Sequence, residues 1–217
     1  MTSTYQRDDL TIDQQLAIAT AARRLGEEFT GTFSSETIER FLHTSYDQFA
    51  TRAVVANFLP LLAERFARQR LHALARVEGR SDGRPIVLFL CVHNAGRSQM
   101  ALGFFQHLAG EHAVGWSGGS KFAVEVNSAA IASMAEAGID ISREFPKPWT
   151  EEIVRAADVV VTMGCGDSCP IFPGKRYLDW ELEDPAGKSV EEVRPIREEI
   201  ERRVRALLAD LDVPATR

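Results

Sequence analysis

Cysteine is scarce in this chain: Cys91, Cys165 and Cys169 are its three among 217 residues. A small, odd set is a poor structural disulfide framework and points to catalytic or redox use. No apolar run approaches the roughly 20 residues that a membrane span needs. The opening Met1-Thr-Ser-Thr-Tyr-Gln-Arg-Asp-Asp-Leu10 lacks the apolar core of a secretory signal. The expectation is a cytoplasmic protein with no membrane partner. An excess of positive charge is missing too: 25 Lys and Arg face 31 Asp and Glu, a net charge of -6, which argues against a nucleic-acid partner. There is no internal repeat and no low-complexity tract. With 45% hydrophobic and 26% charged residues the composition is that of an ordinary globular protein. The length suits one catalytic domain plus a small accessory one.

The accessory part is expected at residues 1–80, as three amphipathic helices that bury their apolar stripes on one another. The first spans Thr11 to Leu25, with Gly26 as its stop signal. Ser35 caps the second, in which Ile38, Phe41, Leu42, Tyr46 and Phe49 recur at helical spacing. The third runs from about Thr51 to Ala75, and Pro60 either kinks it or opens a new helix. Glu78-Gly-Arg-Ser-Asp-Gly-Arg-Pro85 has the composition of a linker. Residues 81–217 then alternate strands with helices, which implies a parallel sheet flanked by helices. Expected strands are 85–90, 113–117, 158–163 and 176–180. Asn127 and Thr150 should cap helices, and the last helix opens either at the Ser189/Glu192 capping box or at Pro195. In such sheets ligands sit at the carboxyl ends of the strands, where Cys91 and Cys165 both fall.

The segment Cys91-Val92-His93-Asn94-Ala95-Gly96-Arg97-Ser98 joins the buried strand Pro85–Leu90 to a helix. A cysteine at a strand end, a tight loop and an arginine at a helix start make an anion cradle, because successive loop N–H groups and the helix N-terminus present positive potential. The same field favours thiolate over thiol, which makes Cys91 the candidate nucleophile. Arg97 can grip two oxygens of a tetrahedral oxyanion at once. Ser98 can hydrogen-bond the Cys91 sulfur or simply cap the helix. Asn94 shapes the loop through its amide or serves as a turn-former, and His93 most simply faces solvent. Asp184-Pro185, in a loop after the fourth strand, supplies either a general acid or an ordinary turn. Cys165-Gly-Asp-Ser-Cys169 does not have the usual spacing of a zinc site and has no second pair. Its glycine suits thiols that must move toward one another.

Together, Cys91–Met100, Asn127, Gly138-Ile-Asp-Ile-Ser142, Asp158–Met163, Cys165–Pro170 and the stretch from Asp179-Trp180 through Asp184-Pro-Ala-Gly187 resemble the arsenate reductases built on the low-molecular-weight tyrosine phosphatase fold, over residues 85–212 or so. The resemblance implies a four-stranded parallel sheet and reduction of arsenate to arsenite. It implies that Cys91 attacks arsenic while Arg97 and the loop Val92–Arg97 hold the oxyanion. Ser98 would assist the sulfur and Asp184 would be the acid. Cys165 and Cys169 would carry the disulfide outward to thioredoxin, with no metal and no cofactor beyond that redox-active disulfide, and phosphate would fit the same cradle. Several thioredoxin-coupled relatives bind potassium near the loop. Here Leu102 stands at one acidic ligand position and another is replaced near Lys147, which argues against that ion. The rival readings are a low-molecular-weight phosphotyrosine phosphatase and a non-catalytic arsenic-binding or sensing module. The helical extension resembles those on some actinobacterial-type arsenate reductases and carries no implied role.

Overall fold

The computed structural model describes residues 10–50, 58–164 and 171–215. The chain divides into two compact units, Met1–Arg80 and Ser81–Arg217.

Among its described residues the first unit holds three helices: α1 (Ile12–Glu28), α2 (Ser35–Ala50) and α3 (Leu59–Val77). A capping box opens α1, in which the Thr11 hydroxyl accepts from Gln14 N and the Gln14 side chain accepts from Thr11 N. Gly26 does not end α1. The helix runs two residues further and buries Phe29 at its C-cap, because apolar burial outweighs the glycine's poor helix propensity. Nor does Ser35 cap α2: it is the first helical residue, and the Ser34 hydroxyl accepts from Thr37 N at 3.2 Å. Pro60 lies in the first turn of α3, where a missing N–H costs little. Residues 51–57, where the third helix was expected to begin, lie outside the described residues. Helices α1 and α3 run parallel, since Arg24–Glu64 (2.8 Å) and Glu28–Arg68 (2.7 Å) join positions equally spaced on both. Glu64 is buried, and Arg24 and Arg68 (3.0 Å) both compensate its charge.

The second unit contains β1 (Ile86–Cys91), α4 (Arg97–Ala109), β2 (Val114–Gly119), α5 (Ser128–Glu136), α6 (Glu151–Ala156), β3 (Val159–Thr162), β4 (Arg176–Asp179) and α7 (Val190–Asp210). The sheet is wholly parallel, in the order β2-β1-β3-β4. Its central strand, β1, is buried at every residue, as a parallel strand covered on both faces must be. Val87, Phe89, Val159 and Val161 share a core with Met100, Phe104 and Phe105 of α4 and with Val193, Ile200 and Val204 of α7. The Phe89 ring meets those of Phe105 and Trp180 at 5.5 and 5.9 Å. Asn127 caps α5, its side chain accepting from Ala130 N at 2.8 Å. Thr150 occupies the N-cap position of α6, but its hydroxyl makes no capping bond. The Ser189/Glu192 capping box, not Pro195, opens α7; Pro195 sits inside the helix, where it forgoes the bond an N–H would make to the preceding turn. Registered pairing places Cys91 beside Gly119 of β2, and Met163 N donates to Leu90 O at 2.8 Å. The carboxyl ends of β1, β2 and β3 therefore converge around Cys91. No helix among the described residues is long and apolar enough to cross a membrane.

Candidate active site

The loop from Val92 to Gly96 is held from outside by its own carbonyls. Val92 O accepts from Lys121 N (2.9 Å), His93 O from Ala123 N (2.8 Å) and Ala95 O from Asn127 N (2.8 Å). Asn94 O accepts from Gln99 Nε2 at 3.0 Å. With four successive carbonyls turned outward, the loop presents its N–H groups to the interior, which is the geometry of an anion-binding nest. Helix α4 starts at Arg97, and its N-cap, Gly96, has no side chain to spend on the first-turn donors. A Cβ at Gly96 would overlap Pro185 Cγ, and one at Gly119 would lie 2.7 Å from Val92 O. Glycine is required at both places by close approach.

Cys91 is 3% exposed, and its sulfur is in no disulfide among the described residues. Its sulfur accepts from Asn94 N at 3.2 Å and lies 3.0 Å from Ser98 Oγ. The direction of the second bond follows from the surrounding donors. Lys147 N (2.9 Å) and Gln99 Nε2 (3.2 Å) both donate to Asn94 Oδ1, so the other amide atom of Asn94 is nitrogen, and it donates to Ser98 Oγ at 2.9 Å. Ser98 then has one proton left, for the Cys91 sulfur. Asn94 sits in the left-handed region at φ 50, a conformation asparagine tolerates better than most residues. It is both the turn-former and the hydrogen-bonding hub, and the two sequence readings of this residue coincide.

Arg97 is 8% exposed. Its Nη2 donates to Asp184 Oδ2 at 2.7 Å and its Nη1 to Leu182 O at 3.3 Å. The other Asp184 oxygen accepts from Ala186 N at 3.0 Å, so this carboxylate shapes its own turn and also reaches the loop. Cys91, His93, Gly96, Arg97, Asn127 and Asp184 line one small pocket, with His93 on its exposed rim. Cys165 and Cys169 lie outside the described residues. The residue before Cys165 is placed: Gly164, at φ +71, lies so near Arg97 that a Cβ on it would be 2.9 Å from Nη1.

Gln99 and Lys147 hold the loop, and only Lys147 drew attention in the sequence. Gln99 sits one place past the motif with nothing local to distinguish it from a surface helix residue, yet it is fully buried. The residues present do not suit a potassium ion. Leu102 is 2% exposed, is packed in the core and offers no oxygen, while Lys147, whose backbone N–H binds Asn94 of the loop, carries a buried ammonium. Among the described residues no group of three or more His, Cys, Asp or Glu is placed to hold a metal.

The family model of low molecular weight phosphotyrosine protein phosphatases matches residues 86–215. The chain belongs to that family. A second model, of the protein-tyrosine-phosphatase-like N-terminal domain, matches residues 18–75 of this phosphatase-family chain. Among solved structures, a thioredoxin-dependent arsenate reductase of Corynebacterium glutamicum is 44% identical, with a TM-score of 0.81, over 92% of this chain and 98% of that one. A structure described as an arsenate reductase in the phosphate binding state is 36% identical, with a TM-score of 0.51, over 58% of this chain and 98% of its own. The glutaredoxin arsenate reductase of Synechocystis is 40% identical over 129 residues, 58% of this chain and 97% of the relative.

Proposed function

We propose that this phosphatase-family chain is an arsenate reductase that passes electrons from thioredoxin through Cys165 and Cys169 to Cys91. The observation that carries this reading is the close approach of Gly164, the residue before Cys165, to the guanidinium of Arg97, which lines one pocket with Cys91 and would hold an oxyanion. A hydrolase has no use for a thiol pair that follows this glycine in the sequence. Arsenate seats its oxygens on the inward N–H groups and on Arg97, taking over the fork that Asp184 occupies. The Cys91 sulfur attacks arsenic, and an arsenate oxygen leaves as water with a proton supplied by Asp184. Cys165 thiolate then attacks the Cys91 sulfur. The sulfur–sulfur bond forms, the sulfur–arsenic bond breaks, and its electron pair stays on arsenic, which departs as trivalent arsenite. Cys169 attacks Cys165 and releases Cys91, and thioredoxin reduces the Cys165–Cys169 disulfide. Thioredoxin is preferred to a glutaredoxin-type donor because the similar thioredoxin-dependent reductase aligns with nearly the whole chain, helical extension included.

The phosphotyrosine reading uses the same Cys91, Arg97 and Asp184. The pocket they line has no Phe, Tyr or Trp among its described residues to stack on a phenyl ring, which favours a small inorganic oxyanion. The test is a coupled assay with arsenate, thioredoxin, thioredoxin reductase and NADPH, run beside a glutaredoxin arm and an aryl phosphate control. Arsenate-dependent NADPH oxidation that needs thioredoxin supports the proposal, and Cys169→Ser should then release one equivalent of arsenite and stop. Aryl phosphate hydrolysis without arsenate turnover returns the chain to the phosphatase reading. Full steady-state turnover in Cys169→Ser rules out the relay.

A further inference from the structure

We propose that the Lys147 ammonium is a built-in cation that positions the oxyanion loop and takes the place of a monovalent metal ion. The side chain is 4% exposed, and an ammonium so far from water persists only where its surroundings compensate it. Nζ donates to Phe145 O at 3.1 Å, lies 3.5 Å from Glu144 Oε2, and stands 4.5 Å from the centroid of the Phe145 ring. Phe145 O also accepts from Gln99 Nε2 at 3.2 Å. The same Gln99 nitrogen reaches Asn94 O and Asn94 Oδ1. The positive charge is thereby linked by three hydrogen bonds to the residue that orients Ser98 toward the Cys91 sulfur. The backbone of Lys147 grips the loop as well: its N–H donates to Asn94 Oδ1, and its carbonyl accepts from Gly119 N at 2.9 Å, at the end of β2. Lys147 touches no reacting atom. It is a positioning residue, and its effect reaches the sulfur through Phe145, Gln99 and Asn94.

The inference rests on Cys91 being the nucleophile and not on which oxyanion is the substrate, so the test uses neither arsenate nor thioredoxin. Wild type and Lys147→Met are treated with iodoacetamide, and alkylation of the Cys91 peptide is followed by mass spectrometry, with the Cys165 and Cys169 peptides as internal references. Lys147→Met should slow Cys91 alone, by about tenfold, the rate equivalent of one well-placed hydrogen bond. A purely structural lysine would lower the melting temperature and leave that ratio unchanged, which overturns the proposal. A second measurement needs no variant: the wild-type protein should melt at the same temperature in potassium and sodium chloride of equal ionic strength. A rise specific to potassium overturns the proposal even if Lys147→Met does not fold.

Discussion

Two kinds of helix start occur in the catalytic unit. Helix α7 begins on Ser189 and Glu192, whose side chains satisfy each other's backbone N–H groups, and α5 begins on Asn127, whose side chain accepts from Ala130 N. Helix α4 begins on Gly96, with no side-chain cap at all. The capped starts consume their donors and contribute stability. Two starts lack a capping bond, α6 at Thr150 and α4 at Gly96, and the one on glycine, which follows a nucleophilic cysteine, keeps its donors for something else. A missing cap is thus a signal where a second feature coincides with it, as the cysteine loop does at α4 and nothing does at α6.

The comparison can be broken most severely at Arg97. Arg97→Lys keeps the charge but not the planar fork, and arsenite formation should fall by about 100- to 1,000-fold in kcat, as it does when one donor to a developing oxyanion is removed. Steady-state kinetics with the coupled assay check this. Gly96→Ser makes α4 resemble α7. The new Cβ overlaps Pro185, pushing the Asp184 turn away from the loop, and a displacement of that size should cost about 100-fold in rate. Unchanged turnover in that variant would mean that the bare start is incidental. Ser189→Ala removes the α7 cap and should lower unfolding free energy by about 1 kcal/mol in urea titrations, with turnover intact. The smallest effect belongs to the exposed face of α7. Hydrogen bonds from Arg202, then Arg203, hold the Glu199 carboxyl down at about 2. A depressed carboxylate stabilises the fold above its ordinary pKa of 4.5 and loses that contribution as pH falls toward 2. Glu199→Gln should therefore change stability by no more than roughly 0.5 kcal/mol at pH 7, with the difference vanishing near pH 2 in acid titrations followed by circular dichroism.

Local chemistry made much of this molecule legible in the sequence. The buried run before Cys91, the spacing from Cys91 to Arg97, and the side-chain caps at Asn127 and Ser189 each depend on residues within a few positions of one another. The elements that were misread depend on distant partners. Gly26 looks like a stop until Phe29 is seen buried against the bundle, and Ser35 was one residue late because Ser34 and Ser35 are chemically alike. Gln99 is an ordinary helix residue until Phe145, 46 positions away, is placed against it. The contact between Arg97 and Asp184 spans 87 positions, and no local pattern announces it.

The stretch that connects β2 to α5 belongs to no strand and no regular helix, and it looks like the kind of connection in which insertions are tolerated. Lys121, Ala123 and Asn127 nonetheless donate in turn to Val92 O, His93 O and Ala95 O. Deleting one residue there would offset every later donor from its acceptor, much as a slipped register does between paired strands. This connector is therefore fixed in length. Random insertions and deletions should spare the helix surfaces and be purged from residues 121–127, thirty positions downstream of the cysteine they serve.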